Sequence, residues 1–262
     1  MAANWAVKRQ LFFIGVLVLF FLAAGFLIAY PYISKPPSCA DGKQNGTETG
    51  VDCGGLCQRA CLDQVDPLTI LWARSFRVVA GRYNAVAYLE NKNKTAAISK
   101  INYRFRFADK DNVFIGKREG STYVPPAGRY AIFEPAIDVG NSVPVYTTFE
   151  FTQAPEWIQV PLEKLKQLKI IVSNIDLEGE KTTPRLSATV KNNSLFNIPD
   201  VTVIAILYDA AGNALGASRT YLTKLPGEEA VSVNFTWPEP IAGVVVAKEI
   251  IPMFDISSTE LE

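Results

Sequence analysis

The chain has 262 residues, with 26 basic and 26 acidic side chains, so its net charge gives no reason to expect nucleic acid as a partner. It contains no histidine, which removes the commonest general base and the commonest metal ligand. It also shows neither a nucleotide-binding loop nor a serine-hydrolase motif. The sequence is therefore interpreted as that of a protein that is not an enzyme.

Residues 11–30 form an uncharged apolar segment. At about 1.5 Å per helical residue it spans roughly 30 Å, the hydrocarbon thickness of a bilayer. Lys8 and Arg9 precede it, and basic flanks stay cytoplasmic. The alternative is a cleaved secretory signal, but the apolar run is longer than usual and no A-x-A-type site follows it. We predict a single-pass cell-membrane protein, with residues 1–10 as a cytoplasmic tail, 11–30 in the lipid bilayer and the rest extracytoplasmic.

Residues 31–66 read as a stalk, because Pro31, Pro36 and Pro37 favour an extended exit from the membrane. Its segment 38–61 contains every cysteine of the chain, and outside the membrane four close cysteines indicate two disulfides with three possible pairings. A zinc site is the alternative, but the spacings do not fit one. The four cysteines are Cys39, Cys53, Cys57 and Cys61.

The loop between the first two cysteines concentrates oxygen ligands in a glycine-containing turn. Asp41, Asn45, Glu48 and Asp52 are the candidate ligands, and calcium is the ion that such a set suits. Lys43 at the third loop position excludes an EF-hand. The alternative is that these side chains only cap turns. The pattern C-x-D-G-x-x-N-G-x-E-T-x-x-D-C-G-G-x-C resembles a short cysteine-rich module of bacterial secreted and surface proteins, a resemblance that implies no activity.

From residue 68 onward the pattern favours β-structure. Residues 101–107 alternate apolar and polar side chains, which is typical of a strand with one buried face, and so do residues 231–237. Residues 201–208, VTVIAILY, are nearly continuously apolar and predict a central strand covered on both sides.

An internal repeat with a period near 100 residues is the most informative feature. It predicts an all-β fold of two tandem immunoglobulin-like β-sandwich domains at 67–165 and 166–257, each with its own core, plus one N-terminal transmembrane α-helix and a tail at 258–262. Phe133 is further matched with Phe235. Tyr123 is matched with Tyr221, Ile70 with Ile170 and Trp72 with Val172. At an offset of 100, Asn93, Ile98, Ile101, Tyr103, Phe107 and Asp109 fall on Asn193, Ile198, Val201, Val203, Leu207 and Asp209.

The repeats resemble the FxLYD family of extracytoplasmic bacterial and archaeal domains. The resemblance rests on an asparagine-rich turn at 192–193, an apolar strand ending in Asp209, and a proline–glycine turn at 226–227. Ala205 and Ala108 depart from the motif. The resemblance implies a sandwich fold outside the cytoplasm and offers no catalytic residue.

Charge is divided unevenly between the repeats. Residues 67–165 carry 13 basic and 9 acidic side chains, whereas residues 166–262 carry 8 and 12. This is either ordinary surface variation or a sign of head-to-tail contact, or of a basic domain near anionic lipid or polymer. Four N-x-[ST] sequons, at Asn45, Asn93, Asn192 and Asn234, are predicted in loops or on outward strand positions. In a bacterial source, which the cysteine module suggests, they are expected to be unused.

These features predict a single-pass cell-envelope protein that displays two extracellular sandwiches for binding, adhesion or scaffolding. Its expected partner is a protein or an envelope polymer. The alternative is an anchored subunit of a membrane complex, recruited through its transmembrane helix, where Gly25 and Ala29 give one small-xxx-small face.

Overall fold

The computed structural model describes residues 5–33 and 37–259, which divide into two compact units with the boundary between Asp52 and Cys53. The first contains α1 (Trp5–Ile33), in which Val7–Tyr30 has a mean hydropathy of 3.0 and the length of a bilayer-spanning helix. The expectation that Pro31 starts an extended exit is wrong, because α1 continues to Ile33. The fixed φ of proline is compatible with a helix, and its missing N–H removes one helical hydrogen bond. Pro36 and the outer residues of both predicted tails (1–4 and 260–262) lie outside the described residues.

The second unit is almost entirely β-structure, apart from a 3₁₀ turn at Leu62–Gln64 and the short helix α2 (Leu162–Gln167). The strands before α2 are β1 (Thr69–Val79), β2 (Arg82–Asn91), β3 (Ala96–Ala108), β4 (Phe114–Val124), β5 (Gly128–Asp138), β6 (Tyr146–Phe151) and β7 (Trp157–Gln159). The strands after it are β8 (Ile170–Glu178), β9 (Arg185–Asn192), β10 (Ile198–Tyr208), β11 (Ala214–Leu225), β12 (Ala230–Thr236) and β13 (Ala247–Met253).

The two halves of this unit have the same strand order, and the all-β fold with one apolar helix is confirmed. In the first repeat the sheets are β1-β2-β5 and β4-β3-β6, with β7 also paired to β3. In the second repeat the corresponding sheets are β8-β9-β12 and β11-β10-β13. Within the described residues, no sheet mixes strands of the two repeats, so each repeat is a sandwich of its own two sheets.

The predicted offset of 100 residues holds along β3 and β10 and through the turn that follows each. Phe107 and Leu207 are both fully buried and pair with glycines at matching positions. Asp109 Oδ1 accepts hydrogen bonds from the backbone N–H groups two and four residues later, and Asp209 Oδ1 does the same. The apolar strand ending in an aspartate-capped turn is therefore the same structural motif in both repeats.

Elsewhere the sequence alignment of the repeats is wrong by one or two residues. Asn91 and Asn192 have the same role, because the side-chain amide of each donates to two backbone carbonyls. The acceptors are Ala96 and Pro125 for Asn91, and Phe196 and Leu225 for Asn192. Asn93 therefore corresponds to Ser194 and not to Asn193. Asn91 lies five residues before its acceptor carbonyl at Ala96, whereas Asn192 lies four residues before its acceptor at Phe196, so the turn of the first repeat has one extra residue. Surface turns tolerate such insertions.

The sequence alignment is also displaced by one residue between β5 and β12. Phe133 pairs with Val86, whereas Asn234 pairs with Ser187 at the matching position of the second repeat. Phe133 thus corresponds to Asn234, and its sequence match with Phe235 is wrong. The matches of Ile70 and Trp72 with Ile170 and Val172 are displaced as well, because β1 and β8 pair with the shifted strands β2 and β9. The match of Tyr123 with Tyr221 is also wrong, because the neighbouring Thr122 corresponds to Leu222.

Each repeat has a buried core of its own, as predicted, but the core of the first repeat does not end at its own two sheets. The buried cluster of the first repeat continues across the β1-β2-β5 sheet into the second repeat. β10 is therefore apolar on both faces, as predicted, because one face packs in its own sandwich and the other packs against the first. The residues of the second repeat that join the first cluster are Ile204, Ile206, Ala214, Ala217, Ile251 and Met253.

Candidate functional sites

The predicted calcium ligands lie in the first compact unit, where their side chains bind the backbone of their own loop. The Asp52 carboxylate accepts hydrogen bonds from the N–H groups of Asp41 and Gly42, both at 2.9 Å. Asp41 Oδ2 accepts one from the Asn45 amide at 2.8 Å, and Glu48 Oε2 accepts one from the Asn45 N–H at 3.1 Å. These contacts are of the turn-capping kind that the sequence left as the alternative.

The loop does not gather its carboxylates at one point. Among the described residues, no three carboxylate groups place oxygen atoms within 4.8 Å of one another. Asn45 Oδ1 is buried and accepts no hydrogen bond. Calcium binding at this loop stays a prediction, and a bound ion would have to compete with backbone N–H groups for the oxygens of Asp41 and Asp52.

All four cysteines are disulfide-bonded, as the sequence predicted. One bond joins Cys53 to Cys61, with Cα atoms 5.1 Å apart, and both Cys39 and Cys57 are disulfide-bonded as well. The zinc alternative needs thiolates, which disulfide-bonded cysteines do not supply.

The loop closed by Cys53 and Cys61 belongs to the same compact unit as the sandwiches, although the sequence assigned it to the stalk. Arg59 forms an isolated β-bridge with Ile158 of β7. The Ala60 N–H donates to the Trp157 carbonyl at 3.0 Å. The disulfide thus holds a short extended segment against the edge of the first sandwich.

The paired carboxylates near the end of β3 have structural partners. Asp109 caps its own turn, and the Asp111 carboxylate lies 2.8 Å from Lys110 Nζ. At the matching turn of the second repeat, hydrogen bonds from the backbone N–H and side-chain amide of Asn213 lower the pKa of Asp209. The arrangement is that of repeated turn caps.

A cross-strand ion network covers the outer face of the β4-β3-β6 sheet. Arg104 lies between Glu119 at 2.6 Å and Glu150 at 3.2 Å, and Arg106 is 3.6 Å from Glu150. Lys117 contacts Glu119 at 3.1 Å. Opposite charges placed directly across neighbouring strands stabilise a sheet, each pair modestly because these side chains face solvent.

One end of this face carries exposed apolar side chains, which we call the apolar tip: Val113, Phe114, Val143, Val145 and Tyr146. Phe114 and Tyr146 both pair with Ala108 from opposite sides of β3, so their rings flank it on one face of the sheet. They are 62% and 51% exposed, which is unusual for aromatic side chains in regular strands. Hydrophobic periodicity could not identify the tip, because the pattern does not tell which face of a sheet is covered.

The interface between the repeats contains a shared carboxylate. Glu249 of β13 accepts hydrogen bonds from Tyr88 at 2.6 Å and from Tyr208 at 2.8 Å, one on each oxygen. Burial, reinforced by Glu249, raises the pKa of both phenols. Trp72 stacks on Tyr88 with ring centroids 5.3 Å apart.

Oppositely charged side chains also meet at this interface. Arg77 of the first repeat lies 3.3 Å from Glu239 of the second, and Arg219 stacks over Phe133 at 5.5 Å.

The exposed face of the β8-β9-β12 sheet is more polar than the matching face of the β1-β2-β5 sheet, which is buried between the repeats. The face that β2 and β5 turn toward the second repeat is apolar, whereas the matching positions of β9 and β12 are small, polar and uncharged. Terminal repeats of a stacked array need such polar outer faces. The corresponding positions are Val86, Tyr88, Ala131 and Phe133 in the first repeat and Ser187, Thr189, Ser232 and Asn234 in the second.

A cleft of about 370 Å³ opens between the repeats, beside Phe76 and Trp237, and the Arg77–Glu239 pair lies at it. A second groove of about 470 Å³ lies beside Leu56 and Ile158, next to the segment held by the Cys53–Cys61 disulfide. Both have volumes in the range of small-ligand sites.

No family model and no curated protein matches this chain. Among solved structures it is similar to red sea bream transglutaminase, with 12% identity over 74% of this chain and 30% of that one, at a TM-score of 0.26. A β-glucuronidase of glycoside hydrolase family 2 gives 9% identity over 84% and 29%, at 0.22, and a β-glycosidase from Bacteroides vulgatus gives 11% over 67% and 26%, at 0.18. The chain spans less than a third of each of these longer chains, and TM-scores this low carry no argument about its activity.

Proposed function

We propose that this protein is anchored in the cell membrane by α1 and displays its paired sandwiches outside the cytoplasm to bind a protein or an envelope polymer. Lys8 and Arg9, in the N-terminal part of α1 and before its uncharged residues 11–30, support an N-terminus on the cytoplasmic side. The disulfide-bonded cysteines support an oxidising compartment for the rest of the chain. The FxLYD-like motifs are consistent with that location.

The apolar tip is the observation that carries the binding role. Aromatic side chains beside arginine are the composition of binding hot spots, and Phe114 and Tyr146 lie next to the Arg104–Arg106 network. Because the sandwiches share a buried interface, the tip is presented on a body of fixed geometry, which limits the entropy lost on binding.

Protease accessibility tests the topology. In spheroplasts, an external protease should degrade residues 67–262 and leave the N-terminal tail protected. Protection of the sandwiches would contradict the proposed orientation.

Site-specific photo-crosslinking tests the binding role. A photoreactive residue at position 114 should capture a discrete partner in intact cells, and the double variant Phe114→Ser/Tyr146→Ser should lose the partner seen by affinity isolation. The matched control is Val244→Ser/Val246→Ser, which changes exposed valines at the corresponding loop of the second repeat. Equal partner recovery with both double variants would contradict the tip as the binding surface.

The alternative, recruitment through the transmembrane helix, makes a different prediction. Gly25 has no neighbouring atom within 4 Å of the position that a Cβ would take, so the small-residue face is open. Replacing residues 1–34 by an unrelated anchor should leave partner binding intact if the tip is responsible. Loss of binding with a correctly inserted anchor would favour the helix.

A further inference from the structure

The structure separates the four sequons by accessibility. Asn192 is fully buried, and its amide nitrogen donates to two backbone carbonyls. Asn93 is 9% exposed, and its amide donates to the Asp66 carbonyl and to Asn91 Oδ1. Asn93 lies in a loop, as predicted, whereas Asn192 ends strand β9 and points inward, so its predicted outward or loop position is wrong. A modified amide at either place would displace a hydrogen bond that orders the turn.

Asn234 is in the opposite situation. It lies on the exposed face of the edge strand β12, with Thr236 exposed on the same face and Phe235 buried between them. Its backbone carbonyl accepts a hydrogen bond from Thr220, so the strand is tied to β11 without use of the side chain. Asn45 is half-buried, and its amide already donates to Asp41.

We propose that Asn234 is an N-glycosylation site, an inference that rests on the proposed export of the sandwiches. Nδ2 of Asn234 would attack the anomeric carbon of an oligosaccharide carried on a lipid diphosphate. The new bond is C–N, the sugar–phosphate C–O bond breaks, the amide nitrogen loses one proton, and the lipid diphosphate leaves. A hydroxyl two residues after the asparagine is the acceptor requirement, and Thr236 supplies it.

A glycan on Asn234 would lie on the face that, in the first repeat, packs against the neighbouring sandwich. The matching residue of the first repeat is Phe133, which is buried against the second repeat. A glycan on Asn234 therefore stands on the surface through which a further sandwich would dock. The small polar side chains around it, Ser187, Thr189 and Ser232, leave room for a hydrated chain. The glycan thus ends the stack at two sandwiches and keeps other copies off this face.

The test uses the full chain expressed in an N-glycosylating eukaryotic cell line. The folded, protease-resistant fraction is treated with peptide-N-glycosidase in ¹⁸O-water, which marks each formerly glycosylated asparagine as ¹⁸O-aspartate for mass spectrometry. Asn234 should be marked, whereas Asn93 and Asn192 should not. Asn234→Gln and Thr236→Ala should abolish the mark at this position, and the matched control Thr236→Ser should retain it.

Protease accessibility measured in the same cells separates the two proposals. Exported sandwiches with an unmodified Asn234 would overturn the glycosylation site and leave the topology standing. Marked Asn192 in the folded fraction would also overturn it, because burial would then not decide occupancy. Sandwiches found on the cytoplasmic side would overturn both.

Discussion

The Tyr88 hydroxyl lies 2.6 Å from Glu249 Oε1, and this contact joins strand β2 of the first sandwich to strand β13 of the second. Tyr208 occupies the other oxygen of the same carboxylate. The orientation of the two sandwiches therefore depends on one acidic side chain as well as on the apolar surface around it.

Glu249→Ala should destabilise the protein by about 1–3 kcal/mol, since two part-buried phenols lose the same acceptor. Equilibrium unfolding of the full chain in detergent, followed by tryptophan fluorescence, measures the change. The control is Glu239→Ala, which removes an exposed ion pair and should cost less than about 1 kcal/mol. Similar losses for the two variants would show that Glu249 is not a specific clamp.

Truncation of the matched core residues tests the duplication. Phe107→Ala and Leu207→Ala should each lower the free energy of unfolding by about 2–5 kcal/mol, because both remove buried side chains and leave cavities. The shared interface further predicts one cooperative transition for both sandwiches. Phe114→Ala, at an exposed aromatic of the same domain, should have little effect. Two separate transitions in the wild type would contradict a cooperative interface.

The buried asparagines predict a sharp difference between neighbouring residues. Asn192→Ala removes the amide that donates to the carbonyls of Phe196 and Leu225 and should destabilise the protein by about 1–3 kcal/mol. Asn193→Ala changes an exposed side chain and should be nearly neutral. Thermal unfolding of the two variants side by side measures the difference, and equal melting temperatures would contradict the assigned role.

The phenols at the interface predict a loss of stability in alkaline solution. Burial raises the pKa of Tyr88 and of Tyr208 above the unfolded value of about 10, so the folded state holds these protons more tightly than the unfolded chain. Their contribution is fully present below about pH 10 and is lost as the pH rises through the folded values. The unfolding free energy of Tyr88→Phe/Tyr208→Phe should fall less steeply above pH 10 than that of the wild type. Tyr146→Phe, at an exposed tyrosine, serves as the control.

The acidic loop predicts weak calcium binding. Asn45 Oδ1 has no hydrogen-bond donor, but Asp52 already accepts backbone hydrogen bonds, so an ion would have to exchange for these contacts. We expect dissociation constants of about 10⁻⁴–10⁻³ M, as for other extracellular calcium modules. Calorimetric titration of the oxidised full chain in detergent, with Asp52→Ala as control, measures this. Absence of calcium heat up to several millimolar would leave the loop as a disulfide-supported turn.

Local chemistry made much of the fold predictable. The twenty uncharged residues of α1, the four clustered cysteines and the two aspartate-ended strands each depend on interactions within a few residues, so their patterns indicate the helix, the disulfides and the repeated turns. The exact alignment of the repeats was not predictable. One extra residue in the turn after Asn91 shifts the offset, and only the strand register reveals it.

The sequence by itself determined that the chain is an apolar helix followed by two copies of one β-sandwich, because hydrophobic periodicity and turn residues are set by near neighbours. Only the tertiary structure decided which faces of those sandwiches are covered. Val86 and Ser187 occupy the same position of their strands in the two repeats, and so do Phe133 and Asn234. What distinguishes them is whether another sheet lies opposite, and that depends on residues far along the chain, such as Arg219, which lies 86 positions after Phe133.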